Sequence, residues 1–221
     1  TPCGDVATSS PPAALTLIAP HDLVWAGSNN GIWDYTSENF TLSSSPVNFT
    51  DGDDVTFDNT GNANVSLTNA VNPTLVVVNA SQNYTFNDAT GIGGGKISGF
   101  GQLMDIGSGT LVIANANDYT GGTTVSNGAT LQLGDGNSSQ GSVQGVVYVA
   151  TNSTLNYLYS GPGTSGQVNL YNALAGDGTV NYNDYNGSVL ATATTAASSN
   201  FNGTINVQGY TCLHASDGNA G

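Results

Sequence analysis

Hydrophobic residues in this chain come in short pieces of alternating or continuous apolar character. They run through Val47–Phe49, Val55–Phe57, Val65–Leu67, Leu75–Val78, Tyr84–Phe86, Lys96–Ile97, Gln102–Met104, Thr110–Ile113, Thr123–Ser126 and Ala129–Leu133. The series continues with Val143–Val149, Thr154–Tyr159, Gln167–Leu170, Thr179–Asn183, Val189–Ala191, Thr204–Gln208 and Thr211–His214. Asp, Asn, Gly or Pro bounds the pieces, so turns punctuate them at short intervals. No window keeps the 3.6-residue period of a helix, and none carries a capping box leading into one. The pattern predicts an all-β chain.

Most of these pieces are too short for the strands of a sandwich. They also recur. Laying Tyr119–Gly136 over Phe201–Gly218 without a gap places Gly121 on Gly203, Val125 on Val207, Leu131 on Leu213 and Asp135-Gly136 on Asp217-Gly218. Two phrases, Ile97 to Leu103 and Leu174 to Val180, share an x-Gly-x-Gly corner. A unit that repeats and cannot bury itself alone must stack on its neighbours. The expectation is a β-helix, or β-solenoid, of roughly 20–25 residues per coil, with Val, Ile and Leu in inward ladders.

Two segments stand apart from this rhythm. Residues 1–20 hold Pro2, Pro11, Pro12 and Pro20 and read as an extended N-terminal segment. Within it Ala13, Leu15, Leu17 and Ile18 form a short apolar grip suited to self-association by strand addition. Residues 21–221 form the solenoid, opening on a predicted hairpin at Asp22–Trp33 with Asn30-Gly31 in its turn. Trp25 and Trp33 would meet across that hairpin and cap the open end of the core. A sugar-stacking platform is the competing reading of the pair.

Composition adds charge to the picture. Fifteen carboxylates face one basic residue, Lys96, for a formal net charge of −14. Phosphate recognition rests on Arg and Lys, so nucleic acid is excluded as a partner, and an anionic membrane surface with it. No apolar run is long enough to span a bilayer as a helix, so no membrane insertion is expected. The opening TPCGDV reads as the start of a mature secreted chain, extracellular or at a cell surface. Cys3 and Cys212 lie near opposite ends. In an oxidising compartment they form one long-range disulfide, bridges to neighbouring subunits, or two free buried thiols.

The stretch GSGTLVIANANDYTGGTTVSNGATLQLGDG at Gly107–Gly136 closely resembles the autotransporter-associated β-strand repeat of large bacterial passenger proteins. The resemblance rests on Gly109–Leu111, on Asn117–Thr124 and on the Gly-x-Leu-x-Leu-Gly ending at Gly128–Gly134. Trp25–Trp33 and Gly52–Phe57 also look like this family, and Thr154–Gly218 does so more weakly. The resemblance implies a right-handed parallel β-helix outside a bacterial cell, commonly a scaffold or adhesin. It is specific for the solenoid and silent on chemistry. One departure is that no stretch reads as the membrane barrel in which autotransporters end.

Candidate chemistry is sparse. Asp51, Asp53 and Asp54, with Asp58 close by, are the densest carboxylate cluster and the candidate calcium site, although the spacing is not that of a full calcium loop. No other cofactor is indicated. Asp53/Asp54, Asp177 and Asp184 are the carboxylates available for glycoside hydrolysis, but no spacing sets a pair across a cleft. His21 and His214 lie far apart, and no Ser-His-Asp or Cys-His arrangement is visible. Tyr157, Tyr159, Tyr182 and Tyr185 form a candidate outward stripe for glycan or lateral contact, with core filling as the alternative. Together these point to a non-enzymatic extracellular structural or adhesive solenoid, a self-associating fibre or surface-scaffold subunit. Its expected partners are other copies of itself and extracellular polysaccharide. The alternative is a carbohydrate-binding module of a larger secreted adhesin or polysaccharide-active protein.

Overall fold

The computed structural model describes residues 19–136, 141–159, 168–169, 172–184, 191–194, 200–208 and 212–214. The described residues contain strands and turns and no helix. Residues 1–18 of the N-terminal segment 1–20, Cys3 among them, lie outside the described residues.

Strands from successive coils stack in parallel into two long sheets. The first has ten strands, in the spatial order Asn200–Phe201, Ala173–Gly176, Val146–Val149, Thr123–Val125, Gln102–Asp105, Leu75–Val78, Asp54–Phe57, Asp22–Trp25, Phe40–Leu42 and Ser45–Val47. The second has eight, from Ile32–Trp33 through Asn64–Leu67, Tyr84–Asp88, Thr110–Ile113, Thr130–Leu133, Thr154–Tyr159 and Thr179–Asp184 to Thr204–Gln208. A third side is discontinuous, with Ala70–Val71 pairing Lys96–Ile97 near one end and Val168–Asn169, Ala191–Thr194 and Cys212–His214 near the other. Between them an isolated parallel bridge joins Ala116 to Ser142. The fold is thus a parallel β-solenoid, as the short recurring pieces predict.

Its interior follows from the period-two geometry of strands, which sends alternate residues to one face. In the second sheet, Val65, Phe86, Ile113, Leu133, Tyr157, Tyr182 and Val207 lie in register. A parallel row runs Tyr84, Leu111, Leu131, Leu155, Val180 and Ile205. The first sheet contributes Leu23, Val55, Val76, Leu103, Thr123, Val147 and Leu174. Apart from Val207 and Ile205 at the far end, these residues are buried. Each fully buried aliphatic or aromatic side chain contributes about 1.5–3 kcal/mol. Thr123 is tolerated in its row because the Tyr119 hydroxyl lies 2.6 Å from its Oγ1. Outside, an amide ladder runs up the second sheet: Asn206 Nδ2 donates to Asn181 Oδ1 at 2.8 Å, and Asn181 Nδ2 to Asn156 Oδ1 at 2.7 Å.

Coil length varies more than the roughly 20–25 residues expected. Bonds between adjacent coils join residues 20 apart, as Asn115 and Gly95, and 27 apart, as Thr110 and Asn83. The loop from Ala89 to Gly95 accounts for one of the long coils. It folds around Asp88, which accepts from the amides of Thr90, Gly93 and Gly95 and from the Thr90 hydroxyl. Burial pushes the Asp88 carboxyl up, but these donors outweigh it and hold the group at about 2.

The predicted Asp22–Trp33 hairpin does not form. Asp22–Trp25 belongs to the first sheet and Ile32–Trp33 to the second, so the Gly-rich link between them is a corner of the first coil. The antiparallel pairing at this end comes instead from Phe40–Leu42, which pairs with both Asp22–Trp25 and Ser45–Val47. Ser43 and Ser44 turn that hairpin, both with positive φ (51° and 68°). Trp25 and Trp33 still close the core. Both are fully buried, and Phe40 stands between them with ring centroids 5.1 Å from Trp25 and 5.6 Å from Trp33. Trp25 Nε1 donates to the Asn62 carbonyl at 2.9 Å, which satisfies its one polar atom.

Two sequence alignments are out of phase with the coils. Thr123–Val125 lies on the first sheet, whereas the residues aligned with it fall in Thr204–Gln208, on the second. Likewise the Ile97–Leu103 corner leads from the third side into the first sheet, and the Leu174–Val180 corner leads from the first sheet to the second. Every corner of a solenoid needs a tight turn, so similar turn chemistry arises at different corners.

Candidate functional site

The corner that feeds the first sheet carries two adjoining hollows among the described residues. Three successive coils pass through it, at Asp51-Gly52, at Asn72-Pro73-Thr74 and at Gly99-Phe100-Gly101. They enclose a depression of about 440 Å³. A second hollow of about 260 Å³ shares Asp51, Gly52 and Thr74 with it and reaches Ala19, Pro20, Thr50 and Asp53.

Hydrogen bonds lock the floor. Asn72 donates from its backbone N to Asp51 Oδ1 at 3.0 Å and from Nδ2 to Asp51 Oδ2 at 2.9 Å. The Tyr35 hydroxyl lies 2.7 Å from both Asp51 Oδ1 and the Ala70 carbonyl oxygen, which share its single proton. Burial, and then the Asp51 carboxylate beside it, push the Tyr35 phenol well above its usual range. Thr74 Oγ1 donates to the Gly52 carbonyl at 2.8 Å. On the wall, Phe100 is 94% exposed. Its position follows from its neighbours. Gly99 has a φ of +83°, and a Cβ on Gly101 would lie 2.1 Å from the Pro73 carbonyl oxygen. The corner can therefore pass close to the coil beneath only as Gly-x-Gly, which lifts the central side chain outward.

Asp51, Asp53 and Asp54 do not converge on a common point. Asp51 faces Tyr35 and Asn72. Asp53 is buried and accepts from the His21 backbone N at 2.9 Å and the Thr50 backbone N at 2.9 Å, with His21 Nδ1 3.1 Å away. Asp54 stands in register with Asp22 on the outer side of the first sheet, and its Oδ1 is buried without a hydrogen-bond partner. Burial, then the charges of Asp22 and Asp53, push its carboxyl up. Among the described residues no group of three or more His, Cys, Asp or Glu side chains gathers as a metal-ligand set. Adjacency in sequence misleads here because alternate residues of a strand point to opposite faces.

The tyrosine stripe is corrected in the same way. Tyr157 and Tyr182 are 1% and 3% exposed and point inward. They stack on each other with centroids 4.8 Å apart and ring planes 9° apart, and Tyr157 Oη donates to Asn172 Oδ1 at 3.2 Å. Neither is available to an outside ligand. Tyr185 and the side chain of Tyr159 lie outside the described residues, as do Ala13, Leu15, Leu17 and Ile18 and the side chains of Cys212 and His214. Among the described residues of this half, Tyr148 faces outward, 44% exposed beside Val146 at 48%. Lys96 is engaged with Asp118, Nζ to Oδ2 at 2.5 Å, and Ser98 also donates to that carboxylate. Of the other acidic candidates, Asp177 accepts from the Thr151 hydroxyl at 2.9 Å on an exposed corner.

Sequence reasoning missed two groups. Phe100 was read only as part of a corner, although an aromatic between two glycines in a turn has no inward row to join. Asp105 lies one residue beyond the Gln102–Met104 piece and has no role in the sequence pattern. Counting alternation from Leu103 puts it inside, between Val78 and Val125. It is 1% exposed, its Oδ2 has no hydrogen-bond partner, and burial pushes its carboxyl up to about 8.

Parallel coils, Gly-Thr-hydrophobic rungs and ordered inward rows define a parallel β-solenoid. Residues 106–133 match the passenger-associated-transport-repeat family, so the chain carries this autotransporter passenger repeat. The matched span runs from the exit of Gln102–Asp105 through the strands Thr110–Ile113, Thr123–Val125 and Thr130–Leu133, one circuit of the solenoid and the strand that begins the next. Autotransporter passengers are secreted or surface-exposed proteins. No curated protein and no solved structure matches the chain.

Proposed function

We propose that this chain is a non-enzymatic, extracellular structural and adhesive solenoid that associates with copies of itself as a fibre or surface-scaffold subunit. The observation that carries the reading is the stack itself. Continuous inward rows bind each coil only to its neighbours, and antiparallel strands with a Trp-Phe cluster close one end. Such a body spans distance and presents surface. The passenger repeat at 106–133 supports an extracellular place for it. The net charge of −14 supports solubility there and argues against nucleic-acid partners.

Self-association is the testable half. Electron microscopy and sedimentation velocity of the purified chain should show rods joined into higher assemblies. Removing residues 1–18 should return them to single rods. Assemblies that persist in the truncated chain would rule out the N-terminal grip, and rods that stay single in the full chain would rule out self-association.

A further inference from the structure

The geometry points to a binding site for a neutral glycan in the corner depression, with a pyranose ring stacked on Phe100 and its hydroxyls donating to Asp51, Asn72 and Thr74. The aromatic wall is the first argument. Phe100 is 94% exposed, on a corner whose glycines leave its ring no place in the core. Pro73, which also lines the depression, gives a second apolar surface. The volume of about 440 Å³ falls within the usual range for small-ligand pockets.

Hydrogen-bond accounting supplies the second argument. Two side-chain donors of the floor are engaged within the protein: one N–H of Asn72 Nδ2 on Asp51, and the Thr74 hydroxyl on the Gly52 carbonyl. Acceptor capacity remains. A carboxylate offers about four lone-pair sites, and Asp51 receives two donors from Asn72 and shares the Tyr35 proton with the Ala70 carbonyl. Thr74 Oγ1 and Asn72 Oδ1 also accept. A floor of acceptors beside an aromatic face selects a ligand that is rich in donors and apolar on one side. A hexopyranoside meets both conditions through its hydroxyls and its C–H face.

The third argument is charge. With Lys96 held by Asp118 and fifteen carboxylates on the chain, a uronate or sulfated sugar would meet repulsion without a compensating cation. The site therefore selects neutral glycans over acidic ones.

This inference goes beyond the scaffold reading and fails separately from it: rods that bind no glycan leave the scaffold standing. The test is calorimetric titration of the full chain with cellohexaose, laminarihexaose and mannohexaose, alongside polygalacturonate. At least one neutral oligosaccharide should bind while polygalacturonate does not. Phe100→Ala should weaken that binding about fivefold or more, and Phe100→Trp should restore it. The melting temperature should hold in both variants because the ring is outside the core. No binding by any neutral probe would overturn the proposal. So would binding indifferent to Phe100→Ala, or polygalacturonate binding as well as the neutral sugars. If Phe100→Ala alters sedimentation and leaves glycan binding intact, the ring is a contact between copies and the proposal fails.

Discussion

Asp105 sets up a stability test whose sign is opposite to that of most carboxylates. The side chain points into the solenoid between Val78 and Val125, is 1% exposed, and leaves Oδ2 without a partner. Burial alone pushes it from 3.8 up to about 8, with no opposing charge beside it. The folded protein therefore holds the proton more tightly than the unfolded chain does, and stability falls as pH rises from about 4 to about 8. At roughly 1.4 kcal/mol per unit, keeping this carboxyl neutral at pH 7 costs about 4 kcal/mol, and close to nothing at pH 4. Asp105→Asn retains the shape without the titration, and Asp105→Val continues the row of valines. Urea unfolding at pH 4, 6 and 8 measures the difference between each variant and the parent. That difference should grow with pH, reaching about 4 kcal/mol near pH 7, or roughly 8–16 °C in melting temperature. Using differences removes the contribution of Asp88 and Asp118, whose depressed values act in the opposite direction at low pH. A gap independent of pH, or a parent more stable at pH 8 than the variants, would refute the reasoning.

Other expectations follow from the packing. Tyr157→Ala and Tyr182→Ala should each destabilise the fold by about 3–4 kcal/mol, as for large aromatic truncations in a core, and leave glycan titrations of the surviving folded protein unchanged. Replacing Ser43-Ser44 with Asn-Gly should raise stability by about 1 kcal/mol in urea unfolding, because both positions adopt positive φ in a two-residue hairpin loop. Gly107→Ala should cost about 2–3 kcal/mol by the same assay, since its Cβ would lie 2.2 Å from the Ala80 N and O atoms of the coil beneath.

Much of the solenoid was legible because its rows repeat a simple rule. The pieces Val55–Phe57, Leu75–Val78 and Thr110–Ile113 alternate or run apolar, and each falls within a strand of the structure. The passenger stretch near Gly107–Gly136 was legible for its turns as much as for its strands. What escaped depended on which coil lies beside which. Trp25 and Trp33 are close in sequence, yet a corner sends them to different sheets. Phe40–Leu42 was missed because its antiparallel partners lie on both sides of it in sequence. Tyr157 and Tyr182 looked like a surface stripe because tyrosine suits both surface and core. Their register with Leu133 decides the matter. The candidate site was the least legible part, since Asp51, Asn72 and Phe100 come from three coils and meet only when those coils stack.

The stacking has a mechanical consequence. Strands lie across the axis of the stack, so the hydrogen bonds between coils run along it. A pull on the two ends loads one junction at a time, like a zip, and each junction opens without straining the rest. The segments released differ in length, since stacked residues of adjacent coils are 20 apart at Asn115 and Gly95, 27 at Thr110 and Asn83, and 34 at Ile32 and Ser66. Each should add roughly 65–120 Å of contour as it yields. A chain held at a cell surface and tugged from outside would lengthen in uneven steps, and the coil holding Asp105 would yield more readily in neutral surroundings than in acid ones.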